Sequence, residues 1–200
     1  MTSLSKSQKA EQNSEIKLFS KWSFRDVEVK DAGLSRYLSL KPVKVPHSMG
    51  RHEHKRFRKA NVNIVERLLN NLMRPGKNAG KKARAVSVLR HAFEIIHLRT
   101  GKNPIEVLVR AVENSAQCED TTRISYGGIA YHLSVDVSPQ RRVDLSLRLI
   151  SEGARQASLN NPRPLAECLA EELILAANND MKGYPISKRH EKERIAKASR

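Results

Sequence analysis

Ile129-Ala-Tyr-His-Leu-Ser-Val-Asp-Val137 alternates five apolar residues with Ala130, His132, Ser134 and Asp136, the period-two pattern of a half-buried strand. Gly127-Gly128 stands just before it, able to supply the positive φ angles of a tight hairpin turn. Thr121-Thr-Arg-Ile-Ser-Tyr126 on the other side is β-branched and aromatic enough to be the partner strand. An isolated two-stranded hairpin is marginal in water, so this one must lie on a helical body or on a partner. Ser138-Pro139 then closes the strand and opens a helix, with Ser as N-cap and Pro in the first turn. Arg141 and Arg142 follow within that turn, where cations oppose the helix dipole and gain from an external anion.

Outward from the hairpin the chain reads as helix. Val65, Leu69, Leu72 and Met73 trace a stripe on a helix from about Val62, ended by Pro75-Gly76. From about Ala79 to Leu98 apolar residues cover most of the circumference, which predicts a central helix covered on several sides. Asn103-Pro104-Ile-Glu106 offers an N-cap, a first-turn proline and a reach-back glutamate, followed by the Ile105, Leu108, Val109, Val112 and Ala116 face. Beyond the hairpin, Val143, Leu147, Ile150 and Ala154 form one stripe, Leu165, Leu169, Leu173 and Ala176 another, and a basic helix runs from about Ser187 to Ala198. The prediction is a mainly α fold: a bundle of about six helices with one protruding β-hairpin at about 118–137 and a basic, partly disordered N-terminal extension.

Residues 1–15 are polar and predict a disordered tail. Residues 16–50 bring back apolar side chains, Trp22 among them, and read as an irregular extension across the body with a brief helix near Ala32 to Leu38. Residues 51–200 would be the helical bundle itself.

The chain has 200 residues and a net charge of +16, and a chain so basic gains when polyanions take up its charge. The charge is clustered. Residues 51–59 hold five cations and Glu53, residues 74–84 five cations and no acid, and residues 188–200 six cations with Glu191 and Glu193. Those thirty-three residues carry thirteen of the sixteen net charges. One such run reads as a solvated face; three beside helix boundaries point to a nucleic-acid surface. The candidate contacts are Arg51, Lys55, Arg56, Arg58 and Lys59 in the first run, and Lys77, Lys81, Lys82 and Arg84 in the second. Arg141 and Arg142 join them, with Lys188, Arg189 and Arg194 from the terminal helix.

Other chemistries fit less well. Gly76-Lys-Asn-Ala-Gly-Lys-Lys82 is one residue short of a phosphate-binding loop, has lysine where Ser or Thr is needed, and follows a helix rather than a strand. His52 and His54 are two apart, which points them to different faces of a helix, so no metal site is expected. Cys118 and Cys168 lie fifty residues apart and read as small buried side chains of a reducing compartment. No apolar run reaches membrane-spanning length, and no signal or transit peptide is evident, so a cytoplasmic protein without membrane partner or cofactor is expected. An architectural DNA-binding protein with a β-arm is the alternative, but such arms carry cations along the ribbon, and this hairpin has Arg123 alone against Glu119, Asp120 and Asp136. A histidine-dependent nuclease would need a carboxylate near its histidines, and only Glu53 and Glu94 are close in sequence.

Several segments carry a specific likeness. Lys55-Arg-Phe-Arg-Lys-Ala60, Ile64-Val-Glu-Arg67, His91-Ala-Phe-Glu-Ile-Ile-His-Leu98, Gly101-Lys-Asn-Pro104, Val135-Asp-Val-Ser-Pro-Gln-Arg-Arg-Val143, Ala166-Glu-Cys-Leu-Ala170 and Glu193-Arg-Ile-Ala-Lys197 resemble, in order, the universal small-subunit ribosomal protein seven family. Its eukaryotic member is numbered five, and Ile16-Lys-Leu-Phe-Ser-Lys-Trp22 resembles that cytoplasmic form. The likeness extends from Ile16 to Arg200. It implies a non-enzymatic component of the small ribosomal subunit that binds rRNA of the 3′ major (head) domain and supports head assembly. It also implies neighbouring head and platform proteins as partners, a place beside the mRNA exit and the E-site tRNA, and assembly that begins in the nucleolus. By position, the family's RNA-binding segments fall on Arg51 to Lys59, Lys77 to Arg84, and Arg141 with Arg142. The hairpin that approaches the E site falls on Arg123 to Leu133, with Arg123, Tyr126, Tyr131 and His132 as the residues nearest mRNA and tRNA. Relatives usually carry cations at that tip; Ser125-Tyr-Gly-Gly-Ile-Ala-Tyr-His132 has none besides its histidine. Contact there is expected by tyrosine stacking, the alternative being that both tyrosines pack on the body.

Overall fold

A computed structural model describes residues 16–50, 52, 54–73 and 76–200. The expected tail over 1–15, Arg51, Glu53 and the helix-ending Pro75 lie outside the described residues, as does the side chain of Lys77.

Seven α-helices and one hairpin make up the described chain: α1 (Ala32–Ser35), α2 (Ile64–Leu72), α3 (Lys82–Thr100), α4 (Pro104–Ser115), β1 (Glu119–Tyr126), β2 (Ile129–Asp136), α5 (Pro139–Ser158), α6 (Leu165–Ala177) and α7 (Tyr184–Ala198). The element types and their order follow the apolar periodicities, and the boundaries follow local chemistry. Helix α2 starts at Ile64 because the Asn63 side chain caps it, accepting from the Val65 amide at 2.8 Å. Helix α3 starts three residues later than the pattern suggests, since Gly76–Asn78 forms a single 3-10 turn and Gly80 takes φ +68°. Asn103 caps α4 at 3.1 Å, but Glu106 reaches Arg110 instead of the cap amide. Ser138 occupies the cap position of α5 without a side-chain cap bond.

The helix at the centre is α6 rather than α3. Leu169, Ala170, Leu173 and Ala176 of α6 are fully buried, and α6 packs against α3, α4, α5 and α7. Its small alanines let four neighbours close around it. Helix α3 buries one stripe, Ala85, Leu89, Ala92, Phe93 and Ile96, and leaves Leu98 in solvent. The N-terminal extension completes the core: Leu18, Trp22, Phe24, Val27, Leu34 and Leu38 are buried. Trp22 meets Phe93 edge-on at 5.8 Å between ring centroids, and Asn103 Nδ2 donates to the Ser23 carbonyl at 2.7 Å.

The hairpin forms in the expected register, with Tyr126 opposite Ile129 and Glu119 opposite Asp136, and both turn glycines take positive φ. Helix α7 supports its base, where the Ser134 amide donates to the Ser199 carbonyl at 3.3 Å. The alternation nevertheless does not bury its apolar face. Ile124, Tyr126, Ile129, Tyr131, Leu133 and Val135 share one face and all are exposed. Ala130 and Ser134, on the opposite face, are the better covered residues of β2. Period two fixes which side chains share a face, not whether the chain itself supplies the cover. Cys118, read as buried, is exposed at the hairpin base, while Cys168 is buried in α6.

Candidate nucleic-acid interface

The basic clusters are far apart in sequence, and the fold brings two of them to one side of α2. A groove of about 820 Å³ between the residue-50s arm, α2 and α5 is lined by His52, His54, Lys59, Arg67, Arg141 and Arg148, with Asp144 as its acid. A second cavity, about 580 Å³, continues along α5 past the end of α2 and shares Asn71 and Arg148 with the groove. Lys81 and Arg84 line the crevice beyond it, around Leu72 and Leu165. The arm, the basic turn and the face of α5 therefore form one continuous cationic margin.

Individual cations divide by whether the protein already uses them. Lys55, Arg56, Arg58, Lys81, Arg84 and Arg194 are exposed and have no ion-pair partner among the described residues. The Arg56 guanidinium sits 4.8 Å from the centre of the Phe57 ring, which stays exposed at the surface and available to a base. Other candidates are bound internally. Lys59 and Arg67 share Asp144 at 2.6 and 2.7 Å, and Arg67, almost fully buried, also donates to the Tyr37 carbonyl at 2.9 Å. Lys82 pairs with buried Glu66 at 2.9 Å. Lys188 pairs with Glu191 at 2.6 Å, and Arg189 donates to the Asn114 carbonyl.

The two arginines at the start of α5 behave differently from one another. Arg142 finds its anion inside the protein, Asp31 at 3.2 Å, and only 16% of its side chain is exposed. It fastens the N-terminal extension to the bundle, which corrects the expectation of an external anion for that residue. Arg141 reaches Asp120 at 3.6 Å with 64% of its side chain in solvent and remains open to a phosphate.

Two further arginines were missed by sequence reading. Arg148 and Arg155 line the cavity and follow Arg141 at intervals of seven residues, about 10.5 Å per step on one helical stripe. The spacing was visible; scattered single charges carry no weight until the helix face they share is known.

At the hairpin the four predicted residues split between faces. Tyr126 and Tyr131 lie on the exposed apolar face, while Arg123 and His132 are directly paired on the other. Tyr126 is 82% exposed and Tyr131 50%, so Tyr126 stands clear of the body and half of the Tyr131 surface is open.

Two carboxylates are shifted by their surroundings, buried Glu66 beside the groove and half-buried Glu172 at the contact of α6 with the start of α7. Burial raises the pKa of Glu66, but bonds from the Ser48 amide, the Lys82 ammonium and the Ser48 hydroxyl outweigh it and hold the carboxyl below the usual range. His52 Nε2 lies 2.7 Å from the same Ser48 hydroxyl, tying the arm to α2. Burial pushes Glu172 up despite a bond from the Tyr184 amide, and Glu171 adds to the shift.

A family model described as "Ribosomal protein S7p/S5e" matches residues 34–200. The chain belongs to that family. Three archaeal relatives named "Small ribosomal subunit protein uS7" extend the match toward the N-terminus. That of Methanothermobacter thermautotrophicus is 51% identical over 182 residues, spanning 91% of this chain and 98% of the relative. The Methanosphaera stadtmanae protein is 50% identical over 184 residues, spanning 92% and 98%, and the Cenarchaeum symbiosum protein 54% over 191, spanning 92% and 96%. Membership in the S7p/S5e family makes the chain a structural, non-enzymatic constituent of the small subunit of the cytoplasmic ribosome, with rRNA and neighbouring ribosomal proteins as its partners. Among the described residues no helix is long and apolar enough to cross a membrane.

Proposed function

We propose that the cationic margin along α2 and α5 grips rRNA of the 3′ major domain and so supports assembly of the subunit head. The observation that carries this reading is convergence: the arm at His54 and Lys59, which brackets exposed Lys55 to Arg58, lies with Arg141 of α5 along one groove, and Lys81 and Arg84 line its continuation past Leu72 and Leu165. Neutralising phosphates with Lys and Arg releases counterions and gives salt-dependent affinity. A rigid helical body then holds the cations at fixed separations, so that the shape of a folded RNA is selected. Exposed Arg194 of α7 offers a further contact, whereas Lys82, Arg142 and Arg189 serve the fold first.

The hairpin is read as the part that faces the mRNA exit and the E-site tRNA. With Arg123 and His132 on one face and a bare apolar face on the other, contact would come through stacking of Tyr126 or Tyr131 on unpaired bases. In a nucleated cell, head assembly on precursor rRNA would begin in the nucleolus. The test is retention: the chain should bind a 3′-major-domain transcript in preference to duplex DNA at equal salt, and should stay with small subunits after a high-salt wash. Equal affinity for DNA would favour the architectural alternative.

A further inference from the structure

The cavity beyond the end of α2 differs from the groove it adjoins. Its walls include Leu72, Met73, Ala79 and Leu165, and its polar lining carries both signs and the uncharged Asn71, Asn78 and Ser151. Arg148 and Arg155 lie at its edge, while Glu152 sits between them on α5. A carboxylate there repels phosphate, so the interior is not a phosphate site although its margin is. Asn71 donates to the Arg67 carbonyl at 3.0 Å, leaving its amide oxygen as an acceptor for whatever enters. At about 580 Å³ the cavity falls in the range of roughly 300 to 1,000 Å³ that holds small ligands.

We infer that this cavity receives one unstacked guanine of the bound RNA. Folded RNA is read largely through bases splayed out of loops and bulges, held between flat or apolar walls and hydrogen-bonded on their edges. Guanine fits the polar groups best. It alone offers a carboxylate two adjacent donors, N1–H and the N2 amino group. Adenine, cytosine and uracil each present a single donor position to Glu152. Leu72, Met73 and Leu165 would cover the ring, and the flanking phosphates would fall to Arg148 and Arg155, the first of which the groove also presents. This inference rests on the proposed RNA interface and names its base specificity.

The test uses the full-length chain and short oligouridines that carry one central guanine, adenine, cytosine or uracil. Guanine should bind tighter than the others by about tenfold, the order expected for one bidentate edge contact, and should shift the methyl resonances of Leu72 and Leu165. Glu152→Gln, which replaces one acceptor by a donor, should remove that preference. Ala79→Phe, at an exposed position of the wall, should block the cavity and abolish the methyl shifts while thermal unfolding stays unchanged. Equal binding of all four oligomers, or methyls that respond to none of them, overturns the inference. Salt-dependent binding of the 3′-major-domain transcript, measured in parallel, separates the two levels: if it persists without guanine preference, only the base pocket falls; if it is absent, the RNA interface falls as well.

Discussion

Lys82 Nζ stands 2.9 Å from Glu66 Oε1, and only 6% of the Glu66 side chain reaches solvent. A cation that the sequence assigns to RNA is thus spent on a buried carboxylate, and the pair has a pH signature. The folded pKa of Glu66 is lowered, so its contribution to stability is present above the unfolded value and is lost as pH falls through the depressed one. Lys82→Ala should lower unfolding free energy at neutral pH by about 2 kcal/mol, between the values for exposed and for fully buried pairs. Urea titrations should show that deficit shrinking below about pH 4, where glutamates protonate. A deficit independent of pH would mean that Lys82 acts through packing alone.

Lys81 and Arg84 are exposed and without an ion-pair partner among the described residues, so their removal tests RNA binding without the stability cost. In filter binding to the 3′-major-domain transcript over a salt series, Lys81→Ala with Arg84→Ala should weaken affinity and reduce the log–log salt slope by about one per lost phosphate contact. The melting temperature should not move. Adding Lys82→Ala should change the slope little further while lowering stability. A triple variant with the parent's slope would remove this turn from the interface.

Gly153 of α5 faces the start of α7. A Cβ there would lie 2.8 Å from Tyr184 Cβ, too close for real atoms, and 3.3 Å from Glu172 Cδ, a tight contact. Gly153→Ala should therefore push α7 away from α5 and destabilise by about 1–3 kcal/mol, the usual cost of overpacking. Denaturant unfolding measures it. Glu172→Gln is the instructive partner: the carboxyl's pKa is raised by burial, so ionisation opposes folding as pH rises, and the neutral amide should hold stability at neutral pH or increase it while still accepting the Tyr184 amide.

The order of helices, the hairpin register and the N-terminal clamp were legible because each depends on short-range pattern: apolar spacing, capping residues, paired glycines. Helix α7 starts at Tyr184, three residues before the expected Ser187, because Pro185 sits in its first turn, where a missing N–H costs nothing. The central role goes to α6 rather than α3 because four neighbours close around its small alanines, and which helices meet is a matter of tertiary packing that the pattern of one helix does not state. For the interface, the sequence located every basic run but could not divide it. Arg141 and Arg142 are neighbours in the chain, yet one faces the groove and the other holds Asp31. That division depends on which acids the fold delivers from afar, Asp31, Glu66 and Asp144 among them, and no local pattern encodes it.

Tyr126 and Tyr131 flank the hairpin tip on its exposed apolar face. An exposed aromatic contributes little to the stability of the free protein, so replacing both by alanine should leave its melting temperature almost unchanged. On reconstituted small subunits the same variant should lose E-site tRNA or exiting mRNA by about 1–3 kcal/mol for each base that stacks, read as accelerated dissociation. Arg123→Ala with His132→Ala, on the opposite face, should have a smaller effect with a stronger salt dependence, since a phosphate contact is screened and a stacked ring is not. If the arginine–histidine variant proves the more damaging, the face toward the nucleic acid is the polar one and the apolar face turns away from it.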